Sequence, residues 1–170
     1  MLRQMLVAVD FSIWSRQVAL HACDVARAIG GRITLLHVLK DQESGQGDLE
    51  AAHTLLRELG QLARGSPNCL VVSARSGVDP RAAGPGGSRG GVRLEDGVAP
   101  AILRVADELS AELIVIGPHG QGHPTAGTLG QVVQQVLLDA RVSVQVVPCS
   151  PNRSDIGRWS AALAGGRAAR

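Results

Sequence analysis

A chain of 170 residues with 45% hydrophobic and 19% charged side chains is sized and composed for one globular domain with a full core. Its net charge of +2 supplies no strong field to draw nucleic acid, and its three large aromatics, Phe11, Trp14 and Trp159, leave few rings for base stacking. No apolar run approaches the ~18 residues that span a membrane, and Cys23, Cys69 and Cys149 are too far apart to form a CxxC zinc or redox pair.

In chain order, the run from Met5 to Asp10 reads as a strand buried on both faces, as in a parallel sheet. Ser12 is placed to cap a helix whose apolar stripe is Val18, Ala22, Val25, Ala26 and Ile29, and Gly30-Gly31 ends it. Cys23 falls off that stripe. Ile33 to Leu39 is a second strand. Leu49, Ala52, Leu56, Leu59 and Leu62 mark a second helix that closes near Gly65, and Cys69 to Ala74 is a third strand.

Residues 76–91 are rich in Gly, Pro and Arg without apolar period, and are expected to form a mobile insertion. Gly77 to Pro80 is echoed by Gly97 to Pro100, so either copy serves as the exit from strand three. Val92 to Glu95 is open between sheet and loop. Pro100 starts a third helix, with Ile102, Val105, Ala106 and Leu109 inward. Leu113 to Gly117 is a fourth strand, a glycine-rich segment runs to Gly130, and a fourth helix carries Val132, Val133, Val136 and Leu137. Val142 to Val147 is a fifth strand. Residues 149–170 read as a flexible tail. The alternation predicts an α/β fold: a doubly wound, five-stranded parallel sheet of order 3-2-1-4-5 with helices on both faces.

Such sheets bind ligands beyond the strand carboxyl ends, at the switch between strands one and four. Asp10 stands there, and so does the Gly117 to Gly130 segment, which opens a helix whose N-terminus favours an anion.

The residues Val7 to Ser12, Leu35 to Val38 and Leu113 to Gly120, with Gly117, Gly120 and Gly130 in G-x2-G-x9-G spacing, resemble the universal stress protein family over residues 1–148. The resemblance implies ATP in the crevice, with Asp10 on the ribose. Ala8, Val9 and Val38 would line the adenine pocket, with Ile116 beside it. Gly117, His119, Gly120 and Gly130 would surround the phosphates, and Gln131 and Val132 complete the contact set. The chain departs from the family at Gln131, where a Ser or Thr hydroxyl is usual. Pro118 and Pro124 each remove an amide donor. No Lys or Arg lies between Arg104 and Arg141, so phosphate charge would rest on backbone dipoles, His119 and a Mg2+ ion. The resemblance also implies a homodimer through strand five, 142–147, whose valines would otherwise form an uncovered edge.

No catalytic set appears. There is no GxSxG elbow, and the only lysine, Lys40, lies away from the glycine segment, so a Walker lysine is excluded. His119 and His123 share a Gly/Pro loop rather than a helix, which argues against zinc, and His37 reads as a core histidine. Sparse cysteines and an N-terminus without a signal-peptide pattern lead to the expectation of a cytoplasmic protein. The expectation is a non-catalytic, ATP-binding stress or regulatory protein. The alternative is a dimeric interaction module of the same fold that binds no nucleotide.

Overall fold

The computed structural model describes residues 3–12, 14–40, 46–62, 67–74, 97–120 and 128–148. The expected mobile insertion at 76–91 and the expected tail at 149–170 lie outside them, as do Cys149, Trp159, His123 and Pro124. Among the described residues the elements alternate: β1 Gln4–Ala8, α1 Ser15–Ile29, β2 Arg32–Leu39, α2 Gln46–Leu62, β3 Asn68–Ser73, α3 Val98–Glu108, β4 Leu113–Ile116, α4 Gln131–Asp139 and β5 Ser143–Val146. The strands form one five-stranded sheet in the order β3-β2-β1-β4-β5. Every neighbouring pair is parallel.

Side chains alternate across a strand, and β1 shows it. Met5 and Val7 enter one core layer with Val18, Ala22, Leu56 and Leu59 of α1 and α2. Leu6 enters the opposite layer with Ile102, Val105, Val133 and Val136 of α3 and α4. Both layers are chiefly aliphatic, with Phe11 in the first, and each fully buried Leu, Ile or Val contributes about 1.5–3 kcal/mol.

Several element ends differ from the sequence expectation for local reasons. Ser12 does not cap α1. That helix begins at Ser15, its N-cap Trp14 makes no side-chain cap bond, and Asp10 instead accepts from the Ser12 N–H and the Ser15 hydroxyl, bracing the turn into the helix. Gly30 ends the helix in the left-handed conformation at φ 67°, where a side chain would be strained. Helix α3 begins at Val98, with Pro100 inside its first turn, where a missing N–H costs no helical bond. Cys23 is not off the buried stripe: it is 5% exposed, because α1 packs on α2 as well as on the sheet and buries a wider face. Conversely Leu49, Leu62 and Leu137 are exposed, at the ends of their helices.

Candidate functional site

In a parallel sheet with helical crossovers, every strand ends where the next helix begins. The strand carboxyl ends and the helix N-termini therefore share one edge. Order β3-β2-β1-β4-β5 splits the crossovers to opposite faces on either side of β1, opening a crevice between β1 and β4. A cavity of about 320 Å³ lies there.

The residues singled out in the sequence all line this cavity. Ala8 is the last residue of β1, paired in register with Ile116, the last residue of β4. Val9 and Asp10 follow β1, and Val38 comes from β2. Gly117, His119 and Gly120 leave β4. Gly130 is the N-cap of α4, and Gln131 and Val132 are its first two residues.

Asp10 is anchored on one oxygen. Its Oδ1 accepts the Ser12 N–H at 3.0 Å and the Ser15 hydroxyl at 3.1 Å, while Ser15 Oγ accepts the Asp10 N–H at 3.3 Å. The carboxylate thus fixes the entry to α1 and stays on the cavity wall. Phe11 between them adopts φ 59°, a strained conformation for a bulky residue, of order 1–3 kcal/mol. Its ring packs on His37 with centroids 4.2 Å apart. His37 is buried, as its core reading requires, and its Nδ1–H donates to the Val9 carbonyl at 2.8 Å. It also lines the cavity floor, which the sequence did not suggest.

Helices α1, α3 and α4 all open onto the cavity, through Trp14 and Ser15, Val98, and Gly130 and Gln131 respectively. None carries an acidic residue in its first turn, and none is capped by a side chain of its N-cap residue. In contrast α2, which contributes nothing to the lining, has Asp48 in its first turn. The first-turn amides of α4 have no partner within the helix, and its positive dipole end faces the crevice.

Two expectations about the anion end change. Gly130 N–H is not presented to a ligand: it donates to the Pro118 carbonyl at 2.9 Å, closing the segment that leaves β4. Lys40, set aside because it is remote in sequence from the glycine segment, lines the cavity from just beyond β2. The missed signal was positional, since the carboxyl end of β2 borders the same crevice as that of β1. Ser12, Trp14 and Ser15 were missed because they enter as the Asp10-anchored start of α1, and Val98 and Ile102 because α3 roofs the far wall.

The burial of Cys23 raises its thiol pKa, opposed by Arg27 and helped by Asp24; Cys69 is raised chiefly by burial too. Among the described residues no three His, Cys, Asp or Glu side chains gather as metal ligands. No described helix is long and apolar enough to cross a membrane.

The family model of the universal stress protein family matches residues 1–148. Similar solved structures include universal stress protein UspA from Lactobacillus plantarum, at 19% identity over 85% of this chain and 97% of that one, TM-score 0.62. The universal stress protein from Archaeoglobus fulgidus in complex with dAMP is similar at 22% identity over 85% and 96%, TM-score 0.59. A universal stress protein in complex with cAMP matches at 19% identity over 88% and 98%, TM-score 0.59. No curated protein matches the chain.

Proposed function

Because this chain belongs to the universal stress protein family, we propose that its crevice binds an adenine nucleotide, ATP among them, and that it serves as a non-catalytic regulatory or stress protein. The observation that carries this reading is the convergence of the candidate contact residues on one cavity at the β1/β4 switch point. The apolar wall of Ala8, Val9, Val38 and Ile116 suits a purine face. Asp10 suits a ribose hydroxyl, and the first turn of α4 suits a phosphate. Structural neighbours solved with dAMP and with cAMP support the ligand class.

The site offers polar contacts rather than a reaction. Its carboxylate is engaged through Oδ1 with the Ser12 N–H and the Ser15 hydroxyl at the start of α1. Gentle purification, acid or heat denaturation, and chromatography of the released small molecules test the reading. An adenine nucleotide at substantial occupancy supports it.

A second reading, the nucleotide-free interaction module, draws on Gln131 in place of a hydroxyl residue and on the Gly130 amide already spent on Pro118. Either reading includes a homodimer through β5. That strand is an edge of the sheet, and its Val144 and Val146 remain half-exposed.

A further inference from the structure

We propose that a second cavity, at the edge of the sheet opposite the crevice, binds a free α-amino acid with an aliphatic side chain. The proposal is independent of the adenine-nucleotide reading.

Helices α3 and α4 open onto the crevice at their N-termini, so their C-terminal ends lie toward the edge where the strands begin. A cavity of about 210 Å³ lies there, bounded by the residues that lead into β5. It falls below the roughly 300–1,000 Å³ of cavities that hold drug-sized ligands. That size suits one small molecule rather than a nucleotide.

The floor of this cavity is apolar. Ile114 of β4 is fully buried, and Leu103 of α3 and Val142 before β5 are half-buried against the same core layer. The rim is charged. Asp107 stands in the last turn of α3, Asp139 ends α4, and Arg141 follows two residues on; all three are exposed. Among the described residues none of these three side chains makes an ion pair or a hydrogen bond, whereas Arg104 on α3 pairs with Glu108 at 3.7 Å.

A helix C-terminus favours cations over carboxylates. Here two helices bring carboxylates to that end, and neither has a basic residue in its last turn. A protonated amine meets both the carboxylates and the helix ends. Arg141, on the same rim, carries the opposite sign, and a guanidinium takes a carboxylate through two parallel N–H bonds. A simple amine would leave Arg141 unused, and a simple acid would leave the two aspartates unused. An α-amino acid answers both signs from one carbon atom and lays an aliphatic side chain on Leu103, Ile114 and Val142.

Amide chemical shifts of the full chain, followed by NMR during titration with L-leucine, test this. Saturable shifts are expected at Asp107, Asp139, Arg141 and Val142, ahead of crevice residues such as Asp10 and Gly117. Isopentylamine lacks the carboxylate and isocaproate lacks the amine. Each is expected to bind about fivefold more weakly than L-leucine, the upper scale of one exposed ion pair. Glycine, without the aliphatic body, is expected to stay unsaturated at millimolar concentration. Arg141→Gln should lower L-leucine to the level of isopentylamine without weakening the amine. Asp107→Asn and Asp139→Asn should weaken L-leucine and isopentylamine together without weakening isocaproate. All three positions are exposed, so melting temperatures should stay near the parent's. Isopentylamine binding as tightly as L-leucine would overturn the proposal in favour of a simple cation site, and isocaproate doing so in favour of an anion site. No saturable shift at the cavity residues with millimolar L-leucine, or shifts confined to the crevice, would overturn it outright and leave the adenine-nucleotide reading untouched.

Discussion

A Cβ added to Gly120 would lie 2.8 Å from Asp10 Oδ2, closer than side-chain carbons approach an oxygen. The glycine is therefore required by the carboxylate opposite it, and the segment after β4 is seated against the segment after β1. Asp10 cannot easily yield, because Oδ1 is held by Ser12 and Ser15.

Gly120→Ala is accordingly expected to displace Asp10 or lift the β4 exit. Overpacking of this kind costs about 1–3 kcal/mol, and the expected value is at the low end because Gly120 is exposed. Adenine-nucleotide affinity should fall by roughly tenfold, equivalent to about 1.4 kcal/mol. Urea denaturation and calorimetry read the two effects. Unchanged affinity would show that Asp10 and Gly120 do not act on a common ligand.

Asp10 has two tasks, and two substitutions separate them. Asp10→Ala removes the acceptor for Ser12 N–H and Ser15 hydroxyl and should cost about 1 kcal/mol of stability, the scale of a lost hydrogen bond. Asp10→Asn keeps a carbonyl oxygen for those donors and should cost less. Both should weaken nucleotide binding, the alanine more, since a charged acceptor is stronger than a neutral one. Chemical denaturation and titration of the pair check it. Weaker binding only in proportion to stability would reduce Asp10 to a brace of the turn before α1.

The five strands and the burial of β1 on both faces were legible because the strands of a buried parallel sheet read as near-continuous apolar runs. The crevice was legible because strand ends converge once the order is known. What escaped depends on through-space packing. Lys40 joins the site only because β2 borders β1. Cys23 is buried in the core layer that α1 and α2 share with one face of the sheet. Gly130 matches a phosphate-binding spacing in sequence, yet its amide is used by Pro118, a pairing that the chain direction alone does not reveal. Ser12 lies before α1 rather than at its cap because the chain turns through Phe11 at positive φ, where Asp10 Oδ1 accepts the Ser12 amide.

The raised thiol of Cys23 gives a signed pH effect. Burial holds the folded-state pKa above the ordinary thiol value. Below that value the thiol is neutral in both states and the folded state loses nothing. As pH rises from about 9 through the folded-state pKa, the unfolded chain releases the proton first, so stability falls. Cys23→Ala should flatten the decline in denaturation free energy above pH 9, at the cost of a small cavity near neutral pH. An unchanged alkaline slope would assign that decline to other groups.

Strand β5 lies at the sheet edge, and the chain is expected to be a homodimer at micromolar concentration. Multi-angle light scattering behind size exclusion reads the mass. A monomer would count against pairing through β5.

The β1/β4 crevice is expected to hold an adenine nucleotide. Isothermal titration of the parent chain and Asp10→Ala with AMP, cAMP and ATP, each taken to millimolar concentration, tests it most directly. The account predicts saturable heat with one site per chain for at least one of them, and a weaker constant for Asp10→Ala. No heat from any nucleotide would contradict it and leave the interaction module as the function of this fold.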